Sequence, residues 1–257
     1  MKISKFNVIV LLVTSLILIF VGNLYVSNKL PLIIKTEQVG VVKEVITEIE
    51  EVKPSYEYLK SITVYITGKV PGKVEEDGST TIGQQWGGTG TVVKIDEEYT
   101  YIITNAHVAG KKKGDEVILF VEDDLREVPA KIVAYHQDEL IDLAVIKIEG
   151  TLSGKRVVKG ITLAAPQDKV YLVGHHLGRR YIYGEGVFAG YDSIYDIIQI
   201  PTLYGNSGTG VCNEDGELIG VIFAINAFGF GQVDCAHGLA IDGLSVRLFL
   251  NELGLLK

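Results

Sequence analysis

The chain has 257 residues, with 24 Lys+Arg against 32 Asp+Glu, a net charge of −8 and a pI near 5.2. That acidity argues against a nucleic-acid binder working by phosphate neutralisation, and 47% hydrophobic residues with a mean hydropathy of +0.26 exclude an intrinsically disordered chain. Two cysteines are too few for a disulfide scaffold or an all-cysteine zinc site.

In chain order, the first predicted element is the run VIVLLVTSLILIFVGNLYV at residues 8–26, which carries no charge. A helix of that length rises about 28 Å, close to the hydrocarbon thickness of a bilayer. Lys2 and Lys5 precede it, which predicts a cytoplasmic N-terminus; Lys29 and Lys35 follow and weaken that bias. A cleaved signal peptide is the competing reading. It requires a shorter apolar region and a small-x-small site, and VGNLYVSNKL offers none. The expectation is therefore an uncleaved single-pass anchor in residues 1–30. Both readings place the rest of the chain on the periplasmic or extracellular side.

Residues 31–54 read as a stalk or linker. Val42, Val45, Ile46, Ile49 and Val52 recur at helical spacing, and Pro54 would stop a helix near Lys53. An amphipathic stalk and a partly ordered β-branched linker both fit. Residues 55–257 form the expected globular domain. From Ser61 onward a dozen short β-rich runs alternate with turn residues: SITVYIT, GTVVKID, YTYIITN, EVILFV, VPAKIVAYH, LAVIKIE, KVYLVG, RRYIYGEGVFAGY, DIIQIP, TGVC, ELIGVIFAI and HGLAID. This spacing predicts an all-β sandwich or barrel with almost no helix between strands. Only the end differs: Leu244, Val246, Leu248, Phe249, Leu250 and Leu253 predict a C-terminal helix stopped at Gly254.

Three positions carry the chemistry. Ser207 lies in YGNSGTG, among Gly205, Gly208 and Gly210. A serine between glycines can sit on a tight turn that leaves its oxygen accessible, and the amides of Gly205 and Ser207 can then converge on one oxyanion. His107 ends the apolar run YIITNAHVAG, and Asp142 precedes the apolar run LAVIKI, with Asp138 as a nearby rival. In the order His, Asp, Ser they supply a base, an orienting carboxylate and a nucleophile.

On these residues the chain resembles the trypsin-like serine proteases. TNAHV is similar to their histidine motif, DLAVIKI to their aspartate motif and GNSGTG to their GNSGGP. Within the family the pattern resembles the HtrA/Deg-type branch. WGGTGTVVKIDEEYTYIITNAHV, LVGHHLGRRYIYGEGVFAG, GELIGVIFAI and GLAID follow that branch's segments in order, and VKPSYEYLKSITVYI resembles its opening strand. The resemblance implies two six-stranded antiparallel β-barrels with the active site between them, a short C-terminal helix, and a serine endopeptidase acting on protein or peptide substrates without cofactor or metal. It implies a catalytic His107, Asp142 and Ser207, an oxyanion hole at Gly205 and Ser207, and a homo-oligomer of the kind the branch often forms. An inactive binding module on the same fold, or a dedicated processing protease, are the alternatives.

Departures from the family pattern are local. Asn206 stands where trypsin-type zymogens have the Asp that pairs with a new N-terminus, so activation by N-terminal cleavage is not expected. IQIPTLYGNS is about two residues shorter than the segment it resembles and has Tyr204 in place of Pro. Thr202, Ile222 and His237 are the expected substrate-pocket residues; a Thr202/His237 pair would suit a Glu or Gln side chain. His175 and His176 fall where the family has Asn-Pro and are not expected to bind a metal. Cys212 and Cys235 lie on segments resembling neighbouring closing strands and are candidates for a disulfide. Fifty residues follow Ser207, so the PDZ domain common in the branch is not expected.

Overall fold

The computed structural model describes residues 53–74, 76, 78–111, 117–192, 195–228 and 232–256. The expected membrane span and the expected stalk up to Val52 lie outside them. Among the described residues, no helix is long and apolar enough to cross a membrane.

The first element differs from expectation. Ser55 caps a short helix α1 (Tyr56–Ile62), its hydroxyl accepting from Tyr58 N at 3.1 Å, and the strand begins only at Thr63. Leu59 and Ile62 are almost fully buried. Burying side chains of this kind is worth about 2 kcal/mol each, enough to hold two turns that would not form alone. The β-branched run Thr63–Thr67 then imposes the extended conformation.

Among the described residues twelve barrel strands follow, one for each β-rich run of the sequence. They are β1 (Thr63–Val70), β4 (Gln84–Ile95), β5 (Tyr99–Thr104), β6 (Ile118–Asp123), β7 (Arg126–Tyr135) and β8 (Ala144–Glu149), then β9 (Lys169–Gly174), β10 (Ile182–Asp192), β11 (Tyr195–Gln199), β12 (Gly210–Cys212), β13 (Leu218–Phe228) and β14 (Gln232–Asp242). Two-residue strands β2 (Lys73–Val74) and β3 (Thr80–Thr81) make a small separate hairpin that the sequence pattern did not predict. The long strands close into two antiparallel barrels, β1-β4-β5-β8-β7-β6 and β10-β11-β14-β13-β12-β9. Asp242 caps the final helix α2 (Gly243–Glu252) by accepting from Ser245 N at 3.0 Å, and Gly254, at φ +65°, ends it as expected.

Several strands are apolar on both faces, and the packing explains why. Successive side chains of a strand point to opposite faces. Val92, Ile102, Ala144 and Ile146 fill the N-terminal barrel, while their neighbours Val93, Ile103 and Val145 turn outward. Val170, Leu172, Val211 and Ile219 fill the C-terminal barrel, while Tyr171, Val173, Cys212 and Leu218 turn outward. The outward sets meet in a third cluster between the barrels, together with Leu59 and Ile62 of α1 and Val246, Phe249 and Leu250 of α2.

The register corrects the disulfide expectation. Cys212 is a buried free thiol, pushed up to about 12 by burial. It pairs opposite Leu218, whereas Cys235 follows Asp234, which pairs opposite Asn226 at the other end of β13. At about 3.3 Å per residue this separates the two by roughly 20 Å, against the ~7 Å a disulfide spans.

One buried group works against the fold. Asp196, 4% exposed on β11, is pushed up to about 7, first by burial and then by the Asp242 carboxylate. Between the unfolded carboxylate range and pH 7 the folded chain therefore binds the extra proton. The stability that this group contributes is fully present below the unfolded carboxylate range and is lost as pH rises toward 7. Asp196→Asn is expected to stabilise the fold at pH 8 by on the order of 2 kcal/mol, seen as a higher melting temperature, and to change it little at pH 4. Thermal unfolding of both proteins at the two pH values measures this; an equal shift at both would contradict it.

Candidate active site

The site lies where the two barrels meet. β5 ends in Thr104, and Asn105–Gly110 makes a tight helical turn, with Ala109 N on Asn105 O at 3.0 Å and Gly110 N on His107 O at 3.2 Å. This turn carries His107 out of the barrel, its side chain 46% exposed. Asn105 is buried in the same turn and donates through Nδ2 to Asp142 O at 2.8 Å, fixing the loop that enters β8.

His107 and Asp142 meet twice. The His107 amide donates to Asp142 Oδ1 at 3.0 Å, and its Nδ1 is hydrogen-bonded directly to Oδ2. Partial burial works against the Asp142 charge, but the hydrogen bonds and charge of His107, with the amides of His107 and Ala106, outweigh it and hold the carboxyl below its usual range. Asp142 therefore stays an acceptor, which keeps the proton on Nδ1 and leaves Nε2 as the basic nitrogen. The rival Asp138 is exposed and caps its own loop through Leu140 N at 2.9 Å.

Ser207 lies on the loop between β11 and β12. Gly88 of β4 packs against both this loop and the residue after His107: a Cβ there would meet Val108 at 2.6 Å and Ser207 O at 3.3 Å. The Ser207 loop is pinned through its carbonyls. Tyr204 O accepts from Leu177 N at 2.7 Å, Gly205 O from Thr89 Oγ1 at 2.7 Å and Ser207 O from Thr89 N at 2.8 Å. Two glycines permit this course. Gly205 (φ +98°) and Gly208 (φ +88°) lie in the left-handed region, and a Cβ on Gly208 would sit 1.8 Å from Thr89 O. Among the described residues the amides of Gly205 and Ser207 have no acceptor, whereas those of Asn206, Gly208 and Thr209 are bonded within the fold. The serine's own amide and that of Gly205 are thus the two donors left for an oxyanion here. The Ser207 hydroxyl is 3.5 Å from Phe223 O, a contact at the outer limit of a hydrogen bond.

The structure brings Thr202 and Ile222 together. Both are buried against Gly238, where a Cβ would meet Thr202 Oγ1 at 2.6 Å and Ile222 Cδ1 at 3.1 Å. Thr202 donates its hydroxyl proton inward, to Ile200 O at 2.9 Å. His237, half-buried, is the residue before Gly238. His175 and His176 follow β9 beside the Ser207 loop; no cluster of three or more metal-ligating side chains occurs among the described residues. Asn206 is buried and donates to His176 Nε2 at 2.7 Å, which requires a neutral imidazole; burial holds that ring below the usual histidine range. Thr89 and Asn105 escaped the sequence reading. Each sits in a motif whose glycine or histidine draws attention, and only the fold shows what its side chain ties together.

Residues 88–221 match the family model of the trypsin-like peptidase domain. Serine protease HtrA-like proteins of Staphylococcus aureus strains USA300 and NCTC 8325 are each 29% identical over 160 residues, covering 53% of this chain and 20% of those proteins. The chain thus aligns with about a fifth of the length of these relatives. Among solved structures, the HtrA-type protease AlgW with a decapeptide superposes with a TM-score of 0.58 at 21% identity, covering 78% of this chain and 68% of that one. An inactive form of Rv3671c from M. tuberculosis H37Rv superposes with a TM-score of 0.54 at 19% identity, covering 76% and 88%. At these identities the structural likeness speaks for the fold alone. The family match, by contrast, covers more than half of the chain and spans His107, Asp142 and Ser207, so the chain belongs to the trypsin-like peptidase domain family.

Proposed function

We propose that this chain is a membrane-anchored serine endopeptidase that hydrolyses exported or unfolded proteins through His107, Asp142 and Ser207. The reading is carried by a carboxylate-held imidazole at His107 and by the amides of Gly205 and Ser207, which have no acceptor among the described residues. In the proposed mechanism Ser207 Oγ attacks the scissile carbonyl as His107 Nε2 takes its proton. Asp142 holds the Nδ1–H tautomer and stabilises the imidazolium. The amides of Gly205 and Ser207 receive the oxyanion, and His107 then protonates the departing amine. Water completes the cycle on the acyl-enzyme by the same base. Attack requires the Ser207 hydroxyl to turn from Phe223 O toward His107, a reorientation common when substrate fills a site.

The inward-bonded Thr202 hydroxyl does not favour a Glu- or Gln-specific pocket, since its proton is already committed. Its tight packing with Ile222 under Gly238 suits a small or aliphatic residue before the scissile bond. The AlgW structure holds a decapeptide, and an extended peptide is the substrate form proposed here. One observation favours the alternative of an inactive binding module: the Ser207 hydroxyl lies against Phe223 O and not on the imidazole.

A fluorophosphonate probe decides between the two. Labelling of the wild type and none of Ser207→Ala supports the peptidase; an unlabelled wild type supports the binding module. Asp142→Asn, which disturbs the histidine tautomer, is expected to lower kcat by about 10⁴ with a smaller effect on KM. A decrease below tenfold would remove Asp142 from the mechanism. For the anchor, mass spectrometry of the mature protein extracted from membranes should recover peptides from residues 1–30. A mature N-terminus beyond residue 26 would establish a cleaved signal instead.

A further inference from the structure

The segment between β9 and β10 touches the nucleophile loop residue by residue. Leu177 N donates to Tyr204 O at 2.7 Å, and His176 Nε2 accepts from Asn206 Nδ2 at 2.7 Å. The His175 carbonyl presses on Gly205, where an added Cβ would sit 2.0 Å from its oxygen. The His175 side chain adds an indirect contact. Its Nδ1 is 3.1 Å from Thr89 Oγ1, which is itself 2.7 Å from Gly205 O.

Proton counting fixes the direction of this chain. A carbonyl only accepts, so the single hydroxyl proton of Thr89 goes to Gly205 O. Thr89 Oγ1 then accepts from His175, which places a proton on Nδ1. The ring is completely buried, between Tyr65 and Tyr181 at centroid distances of 5.1 and 4.9 Å. Burial, then the charges of Arg180 and Lys155, push it down to about 3, so it is neutral at working pH. Its Nε2 is therefore bare, and it is buried without a hydrogen-bond partner. An unpaired buried nitrogen costs free energy, so stability alone does not account for a histidine here.

We propose that His175 is a positioning residue for catalysis: through Thr89 it locks the Gly205 carbonyl and so keeps the amides of Gly205 and Ser207 aimed at the oxyanion. The inference rests on the peptidase reading above. Gly205 has no side chain to resist rotation, and the peptide units on its two sides are held separately. Leu177 holds the preceding one at Tyr204 O, and the Thr89–His175 pair holds the following one at Gly205 O. Were either released, the Gly205 amide could turn away and its donor would be lost.

The test compares His175→Phe, which keeps a ring and removes the donor, with His175→Asn, whose amide nitrogen is as many bonds from Cβ as Nδ1. For His175→Phe, kcat is expected to fall about 10- to 100-fold with KM within about twofold. Affinity for a peptide aldehyde, which forms an oxyanion, should fall in parallel, while affinity for the product peptide should not. His175→Asn should recover most of both. Thr89→Val should reproduce the loss, and the Phe/Val double variant should lose no more than either single one. Wild-type kcat in Thr89→Val, equal impairment of the Asn and Phe variants, or additive losses would overturn the proposal. The comparison of Thr89→Val with His175→Asn decides the matter even if His175→Phe does not fold. Ser207→Ala is run alongside: its cleaving as fast as wild type would overturn the peptidase reading itself.

Discussion

The site depends on a row of buried threonines at the edge of the N-terminal barrel. Thr89, Thr91 and Thr104 lie on β4 and β5 and are fully buried. A buried hydroxyl must find a partner or pay for its lost water. These find theirs largely across the barrel boundary. Thr89 donates to Gly205 O, Thr91 accepts from Gly210 N at 2.9 Å, and Thr104 donates to Thr89 O at 2.6 Å, holding the strand that faces Gly208. The Ser207 loop thus belongs by sequence to the C-terminal barrel and is hydrogen-bonded to the N-terminal one as well. Apolar packing between the barrels supplies most of the adhesion, but it is not directional. The threonines set the register between β4 and the Ser207 loop.

Charge is used sparingly around this seam. Asp142 is paired with His107, and its burial is offset by the amides that surround it. The position beside the nucleophile holds Asn206, which can be buried without a counter-charge. Its amide nitrogen is satisfied by His176, while its oxygen is left without a partner. A carboxylate there would need a cation within reach, and the neighbouring ring is a neutral acceptor. The loop is accordingly ordered by neutral hydrogen bonds and backbone contacts. Farther out, Arg180 forks onto Glu122 at 2.6 and 3.0 Å and stacks on Tyr65 at 3.5 Å, tying the segment after His175 to the N-terminal barrel.

Much of the fold was legible because β-strands write their period into composition. The twelve runs of β-branched and aromatic residues each became one barrel strand, and the terminal apolar spacing became α2. The readings that failed share a cause. The helix at Tyr56–Ile62 is too short to show a helical period and gains its stability from Leu59 and Ile62 meeting the inter-barrel cluster. The Cys212–Cys235 pairing assumed that neighbouring strands bring their cysteines level, and the register does not. In the site, His107, Asp142 and Ser207 stood out because each lies in a distinctive motif. Thr89 did not, and His175 drew notice only as a non-ligand in a turn, because what joins them is a hydrogen bond between residues more than eighty positions apart.

By itself, then, the sequence determined the strand content, the order of the histidine, aspartate and serine motifs, and the glycines that let a serine stand on a tight turn. These are local properties, set by side-chain branching, by φ and by spacing within a few residues. Only the tertiary structure decided which faces of the strands meet, which carbonyls hold the nucleophile loop, and which amides are left unbonded beside Ser207. Those outcomes depend on two closed barrels meeting in a single register. A buried hydroxyl such as that of Thr89 acquires its role only from the backbone that the other barrel places against it.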